Sequence, residues 1–248
     1  MIAVRHFAIF LIKLMENHLS STPLEISVNQ GFYAKYGKRI LDFTISLLFL
    51  LAFFWLFIII GLLVLIKLGR PIIYVAERIG LDGKAFRLYK FRSMTNEKDS
   101  EGILLPGTKR LTKFGRLLRS TSLDELPEIF NILKGDMSFI GPRPMPVTYR
   151  KFFTAEEWHR HDVRPGLSGY AQVHGRNAIS WDRKFELDLW YVSHLSFALD
   201  VKTVIDTIVP VLKRENIGQG EQSPGSLYAA RADWQRGEDG MVVKPPNS

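Results

Sequence analysis

Cysteine is absent from the 248 residues. Its absence excludes disulfides, thiolate catalysis, zinc–cysteine sites and iron–sulfur clusters. Acidic residues are in the minority: 25 Asp and Glu stand against 33 Lys and Arg, a formal charge of +8. An excess of this sign suits an anionic partner, whether nucleic acid, an acidic membrane surface or a phosphorylated substrate. Residues 43–66, FTISLLFLLAFFWLFIIIGLLVLI, lack both charge and proline. A run longer than roughly 18 apolar residues marks a membrane segment, because a soluble helix keeps a polar face. Without proline, nothing in the run forces a kink.

Basic residues flank both ends of that run: Lys35, Lys38 and Arg39 before it, Lys67 and Arg70 after it. The positive-inside rule then gives no orientation for a single span, and a helix that enters and leaves by one face produces the same symmetry. The expected organisation is an N-terminal extension over 1–34, with no convincing signal-peptide cleavage site, a membrane-inserted helix over 35–70, re-entrant or spanning, and a catalytic domain over 71–213. Residues 214–248 read as a polar, mobile tail.

The fold class expected is α+β and mainly helical. IIYVAERI and KAFRLYKF, joined by GLDG, predict a β-hairpin. TKRLTKFGRLLRS predicts a basic amphipathic helix, lying on an anionic membrane or forming a solvated face. Leu123, Leu126, Phe130 and Leu133 recur at helical spacing. Residues 146–162 read as helical. Ser180 is placed to cap a helix reaching about Leu195, and Asp200 to cap a last apolar-striped one.

The stretch SLDELPEIFN, residues 122–131, places Asp124 and Glu125 at a helix start. Ser122 with Glu125 three residues on has the form of a capping box, and acids in a first turn suit the helix dipole. Pro127 fits better if the helix starts nearer Asp124. The same position suits chemistry: an ionised Asp is a nucleophile for phosphorus, and a neighbouring Glu can hold Mg²⁺ on substrate phosphates. Such a site needs cations. Lys90 and Arg92 alternate on a strand, and Arg143 and Arg164 lie on stiff Pro-containing loops. His174 and Arg176 are weaker candidates. His159 and His161, two apart, read as surface residues rather than a metal pair.

Together KRILDF, YKFRSM, SLDELPEIFNILKGDMSFIGPRP, RPGLSGYAQVHGRN and FELDLWYV resemble the bacterial sugar transferases of the monotopic polyprenol-phosphate phosphoglycosyl transferase family, in its small, catalytic-core form. The resemblance covers about residues 38–213. It implies transfer of a phospho-sugar from a UDP-sugar to a membrane polyprenol phosphate (undecaprenyl phosphate), with release of UMP, as the first membrane step of glycan assembly. By the same resemblance Asp124 is the nucleophile and Glu125 a Mg²⁺ ligand. Lys90, Arg143 and Arg164 bind substrate, and Asp200 is a second metal ligand, although a helix cap explains it equally well. The implied location is the bacterial inner membrane, with the catalytic domain on the cytoplasmic face. The family's membrane helix breaks at a Ser-Pro pair; here the middle reads Ala52-Phe53-Phe54-Trp55. Two other readings accommodate parts of the sequence: a membrane-anchored Mg²⁺-dependent phosphohydrolase, and a non-catalytic basic protein binding anionic lipid or nucleic acid. No nucleic-acid-binding motif is present, so nucleic acid is not an expected partner.

Overall fold

The computed structural model describes residues 27–28, 31–175, 179–212 and 225–245. A π-type turn, Tyr33–Gly37, leads into helix α1, Lys38–Leu68. Together they form a helix long and apolar enough to cross a membrane. The helix is interrupted at Phe53, whose backbone leaves helical geometry at φ −120° and ψ 17°. The sequence leaves re-entrant and spanning forms open and holds no residue that forces a kink, yet the helix breaks here. The break needs no proline, because the Trp55 indole N–H donates to the Ala52 carbonyl at 3.0 Å, and a side chain entering the ladder is a recognised cause of a kink.

Both ends of α1 are tied to the rest of the chain. Near its start, Arg39 donates to the carbonyls of Ile132 (2.6 Å) and Leu133 (2.8 Å), and Asp42 accepts from the Phe139 N–H at 3.1 Å. Near its end, Ile60 and Val64 are buried against Phe91 and Leu118, and Arg92 donates to the carbonyl of Leu68. Between and around these anchors Leu48, Leu51, Phe54, Ile58 and Ile66 are exposed.

The hairpin forms where the alternation predicts it. Strands β1 (Ile73–Ile79) and β2 (Ala85–Phe91) pair antiparallel, from Ile73 opposite Phe91 to Ile79 opposite Ala85. Their connection needs positive φ at Asp82 and Gly83, and a Cβ on Gly83 would stand 2.4 Å from the Trp158 ring, so glycine is required there. The expected basic helix is shorter than its pattern. Thr112 caps helix α2, Lys113–Ser120, by accepting from the Gly115 N–H at 3.0 Å, and a separate turn covers Gly107–Arg110.

A single 3-10 turn, Leu123–Glu125, precedes helix α3, Glu128–Lys134, which has Pro127 as its N-cap. Strands β3 (Ser138–Ile140) and β4 (Gly166–Ser168) pair in parallel. That pairing brings the GPRP and RPG loops together backbone to backbone: a Cβ on Gly166 would lie 2.1 Å from the Gly141 nitrogen. Helices α4 (Tyr170–Gly175), α5 (Trp181–His194) and α6 (Phe197–Leu212) follow. Ser180 caps α5, accepting from the Arg183 N–H at 3.2 Å.

The α+β, mainly helical class holds, with local departures. Residues 147–161 form short turns rather than one helix. His159 is exposed, but His161 is buried, and burial with the adjacent Arg160 guanidinium holds its imidazole far below the usual range. Residues 225–245, expected in a mobile tail, pack on the domain instead. Leu227 and Val242 are buried there, and Arg231 pairs with Glu157 and, at 3.0 Å, with Asp182. Scattered polarity hides this anchor, because it rests on two apolar residues and one buried Arg.

Candidate active site

The acidic turn is not a capping device. Ser122 takes a left-handed backbone, φ 56°, and its side chain makes no capping bond. The turn instead presents Asp124 and Glu125 beside β2. What fixes β2 there is Asn131 of α3, fully buried. Its amide N–H groups donate to the Arg87 carbonyl (2.7 Å) and to Asp136 (3.1 Å), and its oxygen accepts from the Tyr89 N–H at 3.1 Å. Lys90, the next residue along β2, therefore faces the start of α3.

Lys90 Nζ lies 2.5 Å from Glu125 Oε1 and 3.0 Å from Glu128 Oε1. Arg143, on the loop after β3, reaches the same Glu125 Oε1 at 3.0 Å. Asp124 is buried and, among the described residues, no cation stands within ion-pairing distance of it. The two adjacent carboxyls are thus in different electrostatic states. Burial, then the charge of Glu125, push the Asp124 carboxyl above the ordinary range against a pull from Lys90 and Arg119. Burial acts on Glu125 too, but Arg143 and Lys90 outweigh it and hold that carboxyl below the ordinary range. Glu128 is pushed up to about 7, chiefly by burial.

The structure therefore brings together Asp124, Glu125, Lys90 and Arg143, and adds Glu128, which periodicity alone reads as an ordinary first-turn acid. It does not bring the other candidates to this cluster. Arg92 caps the end of α1 through the carbonyls of Leu68 and Arg70. Arg164 donates to the Gly135 carbonyl at 2.8 Å, at the C-terminus of α3, where a cation suits the helix dipole. His174 accompanies Tyr170, its Nδ1 2.9 Å from that residue's carbonyl. Arg176 lies outside the described residues.

Asp200 belongs to a second buried cluster. It pairs with Lys38 at the head of α1 and accepts from the Tyr33 hydroxyl at 2.5 Å and the Tyr191 hydroxyl at 2.7 Å. Nor does it cap α6, whose first turn is capped by Ser196, accepting from the Leu199 N–H at 3.3 Å. Asp200 is thus the internal counter-ion of Lys38 and not a helix cap.

Among the described residues no group of three or more carboxylate or imidazole side chains is arranged to hold a metal ion by itself. The donor set still fits Mg²⁺ arriving with a diphosphate. That ion is commonly held by one or two carboxylates together with substrate phosphates, and both cations on Glu125 share its Oε1, leaving Oε2 outside those contacts.

A sequence profile described as bacterial sugar transferase matches residues 33–214. The chain belongs to the bacterial sugar transferase family. The uncharacterized sugar transferase EpsL of Bacillus subtilis (strain 168) is 45% identical to this transferase over 196 residues, covering 79% of the chain and 97% of EpsL. The UDP-N-acetylgalactosamine-undecaprenyl-phosphate N-acetylgalactosaminephosphotransferase of Aeromonas hydrophila is 37% identical over 204 residues, 79% of this chain and 48% of that protein. The UDP-glucose:undecaprenyl-phosphate glucose-1-phosphate transferase of Klebsiella pneumoniae is 36% identical over 182 residues, 69% of this chain and 39% of that protein. The transferase thus spans less than half the length of these last two relatives and nearly all of the first. Every residue of the acidic cluster, from Lys90 to Arg143, lies inside the matched region.

Proposed function

We propose that this sugar transferase is a phosphoglycosyl transferase that moves a phospho-sugar from a UDP-sugar to polyprenol phosphate through a covalent intermediate on Asp124, releasing UMP. The observation that carries the reading is the division of labour within the acidic pair. Glu125 is neutralised by two cations, whereas Asp124, its neighbour, is buried with none paired to it. A carboxylate left unpaired in a desolvated pocket is the stronger nucleophile of the two.

Lys90 and Arg143 bind the diphosphate oxygens, lowering the repulsion between an anionic substrate and an anionic nucleophile. An Asp124 oxygen attacks the β-phosphorus. The bond from that phosphorus to the bridging oxygen breaks, and UMP leaves with the electron pair. A phosphate oxygen of the polyprenol phosphate then attacks the aspartyl phosphate, giving polyprenyl diphospho-sugar and restoring the carboxylate. Glu125 would hold Mg²⁺ on the diphosphate, which supplies further neutralisation of charge there.

The lipid acceptor implies a site at the membrane. Two features support a re-entrant α1: it breaks at Phe53, and both halves bond to the same domain. A straight helix of its length would cover about 45 Å and carry its ends to opposite bilayer faces. The apolar face of α6, with Val201, Ile205 and Ile208 exposed, would then rest on the same bilayer. The catalytic domain belongs on the cytoplasmic face, where nucleotide sugars are made.

UMP release measured with and without polyprenol phosphate tests the reaction class. A transferase forms a lipid product. Continuous release of free sugar phosphate without lipid would mark a hydrolase, and no release from any UDP-sugar would mark a binding protein.

A further inference from the structure

Glu128 is a buried carboxylate, 3% exposed, that the reaction above does not use. It opens α3 directly after Pro127, one turn before the Asn131 that pins β2 to the same helix. Its Oε1 stands 3.0 Å from Lys90 Nζ, while Glu125 Oε1 stands 2.5 Å from the same atom. One ammonium is thus shared by two carboxylates from two elements. Glu125 does not need this arrangement for neutrality, because Arg143 supplies it a second cation. Glu128, by contrast, has no other cation within ion-pairing distance among the described residues. A buried acid beside a diphosphate site opposes the ligand's own charge and competes with it for the lysine.

We propose that Glu128 is a positioning residue that draws Lys90 back from the phosphates, weakening nucleotide binding and speeding departure of UMP. Lys90 turns to the diphosphate when the UDP-sugar binds and leaves Glu128 unpaired. Once the sugar phosphate is on Asp124, the remaining monophosphate holds Lys90 less strongly, and Glu128 recovers it. This inference rests on reading the acidic cluster as a UDP-sugar site.

Calorimetric titration of UMP and UDP into the full-length protein in detergent tests it, at about pH 8, where Glu128 is ionised. Removing one buried negative charge near the phosphates should tighten binding: Glu128→Gln is expected to bind UMP about tenfold more tightly than wild type. Its steady-state kcat and its KM for the UDP-sugar should fall together, as slow product release requires. Glu128→Ala, which removes the same charge, should show the same gain in affinity. In a Lys90→Met background the gain from Glu128→Gln should shrink to less than about threefold, because the effect runs through the lysine. UMP binding no tighter in Glu128→Gln than in wild type would overturn the proposal. So would an undiminished gain without Lys90. Failure of wild type to bind either nucleotide would overturn the UDP-sugar reading itself and this inference with it.

Discussion

Two neighbouring carboxyls with opposite environments are the residue-scale result. In the proposed mechanism Asp124 attacks as the carboxylate, and burial beside Glu125 raises its carboxyl above the ordinary 3.8, so activity should fall on the acid side at a higher pH than an unperturbed Asp would give. A pH profile of kcat/KM checks this; an acid limb at or below the ordinary Asp range would contradict it. Stability carries the signature of Glu128. Its folded-state value, about 7, lies above its ordinary 4.5, so the folded chain binds that proton more tightly than the unfolded one. The contribution of Glu128 to stability is therefore full below pH 4.5 and is lost as pH rises to about 7. Thermal melts across that window should show the slope in wild type and a flatter one in Glu128→Gln.

At the scale of elements, the site depends on a hairpin locked to a helix. Asn131→Ala would leave the Tyr89 N–H and the Arg87 carbonyl without their partner. The expected cost is about 2–4 kcal/mol, or roughly 5–10 °C in Tm, with KM for the UDP-sugar rising as Lys90 loses its register. Melting temperature and KM measured on the same preparation check both parts. The hairpin itself, the Ser180 cap and the acidic turn were legible in the sequence, because alternation, capping residues and turn chemistry act within a few positions. Arg92 and Arg164 were not separable from Arg143 by the same means. All three are arginines near turns, and only the packing decides that two of them finish helix C-termini while the third meets Glu125. The Lys38–Asp200 pair was hidden for a similar reason: a carboxylate at a helix start says nothing of a lysine 162 positions earlier in the chain that will meet it. The break at Phe53 is accompanied by an indole N–H reaching a backbone carbonyl, for which no sequence rule as simple as proline exists.

On the scale of the whole molecule, the proposed reaction requires a chemically polar site to meet a lipid acceptor. The break at Phe53 and the ties of both ends of α1 to one domain support the proposed re-entrant placement, which would keep Lys90, Asp124 and Glu125 near the membrane surface instead of beyond a span. Single cysteines at Ser20 and Ala230, in a chain free of other cysteines, should both resist a membrane-impermeant thiol reagent in intact cells and react after permeabilisation. Labelling from outside at position 20 alone would establish a true span. The described part of 225–245, outside the family match, adds Arg231 to Glu157 and Asp182 and joins that otherwise polar segment to the catalytic domain.

Trapping the intermediate decides whether Asp124 acts covalently. Purified transferase is mixed with UDP-sugars labelled on the β-phosphorus, without polyprenol phosphate, and quenched. Wild type should release about one equivalent of UMP and hold the label on the peptide carrying Asp124, and polyprenol phosphate should discharge it. Asp124→Asn, which keeps the shape of the side chain, should melt close to wild type, hold no label and lose turnover by about 10³-fold or more. A wild-type protein that never holds the label, or that forms UMP only when both substrates are present, would contradict covalent catalysis by Asp124.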